Sequence, residues 1–270
     1  MFAAPDFKKK QIVFVMFHEG DKLAFSNDNL VVKDADGKVK LQCTCYRLFL
    51  VFAVGHTSIT SVLIQKAQKF GFFIALMTSG FRLYSIIGAA KEGNTLLHRK
   101  QYLYEGIELA KVITANKMKN QLYEMATIRN KSEYVLESID AVKSYIAKMA
   151  EVENLNELMA YEGLASKVYF RSHFNNVPWK GRQPRIKKDY VNSAMDIGYT
   201  LLFTFMDALL SCYGFDTYCG VMHCQFYMRK SLVCDLVEPF RPLIDHEIKK
   251  AIQLRQIQEE DFLEMNGQYK

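Results

Sequence analysis

The chain has 270 residues, half of them apolar and about a quarter charged, with a formal net charge of +6. That length buries a large core or two smaller ones, and the balance argues against a disordered or fibrous polypeptide. A surplus of +6 is too small to identify a nucleic-acid partner by itself, so its placement along the chain matters more than its size.

The first ninety residues read as β-rich. QIVFVMF (11–17), KLAFS (22–26), NLVVK (29–33) and KVKLQ (38–42) are short runs of β-branched and aromatic residues, with turn clusters at Ser26–Asn29 and Asp34–Gly37. The Asp36-Gly37 pair is a hairpin signal. LFLVFAV (48–54) is continuously apolar, as expected of a strand covered on both faces. ITSVLIQKAQKF then has helical spacing and stops at Gly71, and FFIALM and FRLYSII read as two more strands. GAAKEGN has linker composition. The expected organisation is α+β: a β domain with one helix over 1–88, a linker at 89–94, and an all-α domain over 95–270. Helices are expected from Thr95 to about Ala150 and near 154–173, 189–212 and 228–256.

The six cysteines form no C-x-x-C pair and fit no zinc module, which points to reduced thiols in a cytoplasmic protein. The start of the chain lacks the apolar core of a signal peptide. IGYTLLFTFMDALLSCYGF (197–215) is the most membrane-like stretch, but Asp207 interrupts it, and a buried core helix is expected there. P-loop, dinucleotide-binding and serine-hydrolase motifs are absent.

Three constellations carry chemistry. In NLNELMAYEGLASKVYF (154–170) an apolar stripe runs through Leu155, Leu158, Met159, Ala165, Val168 and Tyr169, and Glu162 falls inside it. A buried carboxylate needs a cation, a donor network or a metal. Taken alone, Glu162 reads more readily as half of a structural ion pair than as a catalytic group. In GFDTYCGVMHCQFYMRKSLVCDLVEPFRP (214–242), His223 lies in an apolar stretch, and Asp235 and Glu238 share a face if the segment is helical. Singly, these read as a satisfied core histidine and a solvated helix face. In RSHFNNVPWKGRQPRIKK (171–188), Arg171, Lys180, Arg182, Arg185, Lys187 and Lys188 occur with no acid among them, interleaved with Phe174 and Trp179. Cations alternating with aromatics suit a phosphate backbone and an unstacked base; a solvated basic loop is the plainer reading.

Together the three resemble the CRISPR-associated integrase family (CRISPR-associated protein one). KLAFSNDNLVV followed by GHTSIT, then HRKQY (98–102), YEGLASKVYF, GRQPRIKKDYVNSAMDIGYTLL, GFDTYCGVMH and RKSLVCDLVEPFRP are similar to that family's motifs, in the same order. Departures are the order of Arg182, Pro184 and Arg185, Asp196 in place of a usual serine, and Thr217 in place of a usual proline. The resemblance implies an N-terminal β domain that dimerises and a C-terminal helical catalytic domain. It implies Glu162, His223 and Asp235 as ligands of Mg²⁺ or Mn²⁺, with Glu238 supporting the site. It also implies joining of prespacer DNA to a CRISPR repeat by attack of a 3′-hydroxyl on a phosphodiester. The implied partners are double-stranded DNA, a second copy of the chain and CRISPR-associated protein two, with no membrane. Tyr169 and the basic residues named above, with Arg229, Lys230 and Arg241, are the implied DNA contacts. A stand-alone nuclease or transposon-type integrase of the same fold is the nearest alternative, and a non-catalytic DNA-binding adaptor the next.

Overall fold

The computed structural model describes residues 8–89, 93–177, 179, 181–184, 186–223 and 226–269. It divides into two compact units, Met1–Lys100 with Asp207–Asp216, and Gln101–Met206 with Thr217–Lys270. The division differs from the sequence boundary in giving 95–100 and 207–216 to the first unit.

The first unit holds two sheets. In one, β1 (Gln11–Met16), β5 (Leu48–Val54), β6 (Phe73–Met77) and β7 (Leu83–Gly88) lie in the order β1-β5-β6-β7. The β1–β5 and β5–β6 pairs are parallel and β6–β7 is antiparallel. Every residue of β5 is buried, which explains why it lacks the alternation of a strand with one wet face. Helix α1 (Ser61–Phe70) starts on the Thr60 side chain, which accepts from Leu63 N. It ends at Gly71, whose left-handed φ of 73° costs a glycine nothing. β2 (Lys22–Ser26), β3 (Asn29–Lys33) and β4 (Val39–Thr44) form an antiparallel meander. Its turn at Asn27 and Asp28, both at positive φ, is the type that two-residue hairpins favour.

From Thr95 on, the described chain is helical, apart from a short pair of strands, β8 (Glu264–Met265) and β9 (Gln268–Tyr269). The long helical stretch after Thr95 breaks into α2 (Thr95–Tyr102), α3 (Glu108–Ala126) and α4 (Glu133–Lys148). α4 begins where Ser132 accepts from Val135 N, a cap that ends the previous segment as much as it starts the next. α5 (Leu155–His173) is capped by Asn154, and α6 (Tyr190–Cys212) by Asp189, which accepts from Asn192 N. The expected helix at 228–256 is instead α7 (Ser231–Val237), a 3₁₀ turn (Glu238–Phe240) and α8 (Arg241–Gln253). Pro239 and Pro242 each remove a backbone donor, so the chain tightens and restarts there.

α6 is long and apolar enough, by length and composition, to cross a membrane, but only a third of its most apolar window is buried. The expected core helix is therefore partly exposed, at Ile197 and Leu201 for example. Asn192, Ser193, Thr204 and Asp207 are polar groups buried along it. Cys43, Cys45, Cys212, Cys219 and Cys234 form no disulfide with one another among the described residues.

Candidate metal and nucleic-acid site

The site is assembled within the second unit from α3, α5, the loop before α7, α7 itself and the 3₁₀ turn. α3 is unusual because its buried face is half polar. Thr114, Lys117, Gln121 and Glu124 are buried at steps of three, four and three residues, in line with Ala110, Met118 and Met125. Facing it, α5 buries Leu158, Ala165, Tyr169 and Ser172. Glu162 falls on that same line, four residues after Leu158 and three before Ala165, whereas Leu155 and Met159 prove exposed. The stripe is narrower than the apolar residues suggested, and Glu162 lies at its centre.

The Lys117 ammonium donates to both Glu162 and Glu238, at 2.6 Å in the second case. Only 9% of the Lys117 side chain is exposed, against 25% for Glu162 and 6% for Glu238. Ser166 Oγ also donates to Glu162, at 2.7 Å, and receives in turn from Gln121 at 3.1 Å. Burial alone would lower the Lys117 pKa, but the Glu238 and Glu162 carboxylates outweigh it and raise it. Burial likewise works to raise Glu162, and Lys117 with Ser166 reverses it, so its carboxyl sits below its usual value. Arg241 adds a second cation, 3.1 Å from the other oxygen of Glu238. Asn120 pins the turn carrying Glu238 by donating to the Pro239 carbonyl at 2.7 Å.

Asp235 behaves differently. It is wholly buried, and its oxygens accept from Val221 N at 2.6 Å, Met222 N at 3.0 Å and His223 N at 2.9 Å. Oδ1 also meets His223 Nδ1 at 2.6 Å. The carboxylate thus closes the loop into a nest of amides and fixes the imidazole by Nδ1, which leaves the lone pair of Nε2 able to ligate a metal. Gly220 makes this possible: a Cβ there would lie 2.7 Å from Ser231 Cβ and 2.8 Å from Asp235 Oδ2. Gly220→Ala is therefore expected to push the loop off Asp235. A displacement near 1 Å at His223 should reduce phosphodiester joining by about 100-fold. Joining at wild-type rates would show that the loop tolerates the methyl.

The structure brings His223 to Asp235 and Glu162 to Glu238. Among the described residues, no group of three His, Cys, Asp or Glu side chains is already closed around a metal-sized point. The sequence-based expectation overlooked Lys117, because its buried line on α3 is half polar and lacks the apolar stripe that singled out Glu162.

Several expected DNA contacts are occupied elsewhere. Tyr169 is completely buried and its hydroxyl donates to Asp245 at 3.1 Å, so it does not face a bound strand. Arg182 spends its guanidinium on Asn192 (3.0 Å) and Asp196 (2.6 Å) and packs over Tyr199. The Asp196 that replaces a usual serine thus supplies its partner. Phe174 is core, packed with Phe170 and Trp179, so the aromatics of this segment build structure and do not stack on bases. Arg241 is paired with Glu238, as above. Arg171 is exposed, lying over the Tyr134 ring, and Lys188 is exposed. Lys187, Arg229 and Lys230 are partly exposed, Lys230 over Tyr218. Lys180 and Arg185 lie outside the described residues.

Behind the site, Asp245 is fully buried and accepts from Tyr169 and Tyr199. Burial pushes its carboxyl from 3.8 up to about 7, against the pull of those two hydroxyls. His173, stacked on Tyr169, is lowered from 6.5 to about 3 by burial, and then by Lys249. The two have opposite consequences for stability. The contribution of Asp245 is present below pH 3.8 and is lost as pH rises toward about 7. That of His173 is present above pH 6.5 and is lost as pH falls toward 3. Between about pH 4 and 6.5 they oppose each other. Asp245→Asn should therefore leave a protein that weakens on acidification, and His173→Phe one that strengthens, each by about 1–3 kcal/mol in urea unfolding at pH 7.5 against pH 5. Parallel pH profiles for the two variants would contradict both assignments.

The family model for CRISPR associated protein Cas1 matches residues 14–270. The chain belongs to the Cas1 family. A curated Cas1 endonuclease of Archaeoglobus fulgidus is 27% identical over 271 residues, spanning 90% of this chain and 78% of its own. Among solved structures, a partial Cas6-RT-Cas1–Cas2 complex aligns with 97% of this chain and 82% of its own at a TM-score of 0.75 and 21% identity. A casposase bound to integration product aligns with 96% of this chain and 78% of its own at 0.66 and 17%. At those identities the structural likeness speaks for the fold: a β-sheet unit followed by a helical one. As a Cas1 protein the chain is an enzyme, a CRISPR-associated endonuclease acting as an adaptation integrase, and its family depends on a divalent metal.

Proposed function

We propose that this Cas1 protein inserts prespacer DNA into a CRISPR repeat, using a divalent cation held by Glu162, Glu238 and the Nε2 of His223, with Asp235 orienting the imidazole from behind. The observation that carries this reading is the convergence of two carboxylates from different helices on one buried positive charge, the Lys117 ammonium. A pair of acids brought together on one cation can serve another, for which the Lys117 ammonium is both stand-in and competitor. The histidine tied to a buried carboxylate has the outer-sphere arrangement usual for a metal-ligating imidazole. Asp235 already has its oxygens engaged by three amides and an imidazole, which suits it to positioning more than to ligation.

The bound ion would polarise the phosphoryl oxygen and stabilise charge developing on it. Mg²⁺ prefers oxygen donors, and a nitrogen in the set favours Mn²⁺ as an activator. The chain's own work is to hold the two acids at fixed separation through Lys117, Ser166 and Arg241 and to keep His223 in one tautomer. Arg171, Lys187, Lys188 and Arg229, with Lys180 and Arg185, would carry the phosphate backbone past the site and align the attacking 3′-hydroxyl. We further infer a cytoplasmic homodimer joined through the N-terminal unit (residues 1–88), working with Cas2 as in the complex it is similar to.

The test is strand transfer with an end-labelled prespacer and a repeat-bearing plasmid in Mn²⁺ or Mg²⁺. Covalently joined product is expected. Nicked plasmid without joined label would instead favour a stand-alone nuclease of the same fold.

A further inference from the structure

Beside the end of α3 and the middle of α8, inside the second unit, lies a cavity of about 410 Å³. Its wall includes Arg129, His173, Lys249 and Lys250, together with the amides of Asn130 and Asn176, and no described aspartate or glutamate lines it. Two of its basic side chains already have partners: His246 lies 2.7 Å from Glu124, and Lys250 3.6 Å from Glu247. Arg129 and Lys249 form no ion pair within 4 Å among the described residues. Lys249 is also half-buried, and burial lowers its pKa, with only the more distant Glu124 opposing. A partly desolvated ammonium without a counter-ion is costly. At the back of the cavity the buried His173 ring has both nitrogens without a hydrogen-bond partner.

We propose that this cavity is an anion site for the DNA substrate, holding a backbone phosphate of the strand away from the reacting phosphodiester, between Arg129 and Lys249. The inference rests on the DNA-joining function above. The chemistry is that of a phosphate: a forked guanidinium, an ammonium and neutral amide donors, with the nearby Glu124 and Glu247 carboxylates engaged by His246 and Lys250. The volume accommodates the phosphate with its flanking sugars. Its place in the fold sets it apart from the reacting phosphodiester. Glu124, which pairs with His246 on the cavity wall, is seven residues from Lys117 on α3. That is about 10 Å along a helix. The cavity therefore engages a phosphate other than the one attacked.

The experiment measures binding of a fluorescent DNA duplex bearing a single-stranded 3′ end, from 50 to 300 mM salt. The proteins are the wild type, Arg129→Gln, Lys249→Gln, the double variant, and Lys143→Gln as an exposed control already paired with Asp140. The double variant is expected to bind several-fold more weakly, with the slope of log affinity against log salt smaller by about 0.7–0.9; the control keeps the wild-type slope. A scan of single methylphosphonates should weaken wild-type binding most at one position away from the reacting phosphodiester, and the double variant should not respond there. Without DNA, Lys249→Gln should melt no lower than wild type, because the half-buried ammonium it removes is opposed by desolvation and helped only by the more distant Glu124. A lysine serving only the fold would lower the melting temperature. An unchanged salt slope with an unchanged methylphosphonate response overturns the proposal. So does inorganic phosphate stabilising the wild type and not the double variant while DNA binding is unaltered, which would assign the cavity to a free anion. Wild-type protein that binds this DNA without salt dependence would remove the underlying function as well, an outcome distinct from failure of the cavity alone.

Discussion

Glu162→Gln will bind Mn²⁺ far more weakly than wild type and lose strand transfer by about 10³-fold. Loss of a ligating carboxylate removes several kcal/mol of charge stabilisation, and each 1.36 kcal/mol is a factor of ten in rate. Glutamine keeps the size of the side chain, and its amide oxygen still accepts from Lys117 and Ser166. The loss therefore belongs to charge and not to collapse of α5. Glu238→Gln should behave the same way. Asp235→Asn should differ. An asparagine amide offers two donors where Val221, Met222 and His223 already present theirs. The loop before α7 would loosen, the melting temperature would fall, and Mn²⁺ affinity would drop by about 10–100-fold, as when an outer-sphere partner is lost. Manganese binding measured by electron paramagnetic resonance, without DNA, separates these effects from turnover. If Glu162→Gln and Glu238→Gln titrate like the wild type, the proposed ligand set is wrong.

Lys117→Met will destabilise the metal-free protein by about 3–5 kcal/mol, the usual consequence of removing one partner of a buried ionic cluster. For a chain of this size that is on the order of 10 °C in melting temperature. The reason is geometric. Glu162 and Glu238 are held by the same ammonium, and without it two poorly solvated carboxylates face each other with only Arg241 and Ser166 for company. The same substitution should tighten Mn²⁺ binding, since no ammonium then competes for the acids. Saturating Mn²⁺ should accordingly raise the melting temperature of the variant more than that of the wild type. A variant that melts like the wild type and gains nothing from Mn²⁺ would mean that Lys117 does not hold the two acids together.

Much of the fold was legible because local chemistry dictates it. The all-apolar run 48–54 is β5, and Gly71 ends α1. The helix boundaries near 103–107 and 127–132 were not legible, because apolar spacing continues across them. The split of 228–256 followed from Pro239 and Pro242, whose presence was visible but whose outcome, a kink or a restart, depended on packing. At the site, Glu162 was found by its position within an apolar stripe, a one-dimensional signal. Which basic residues remain free was not visible. Arg182 is used by Asp196, and Arg241 by Glu238, and such pairings across 14 and three residues compete with any role toward DNA.

The sequence by itself determined which residues are apolar, where charges interrupt that pattern, and hence the elements and the family, because each depends on neighbours within a turn or two. Tertiary structure alone decided how those interrupting charges are matched. Electrostatic partnership depends on distance through space, and the acid at 162, the lysine at 117 and the acid at 238 meet only when three separate segments pack. For the same reason Asp235, three residues from Glu238, faces a nest of amides instead of sharing its cation.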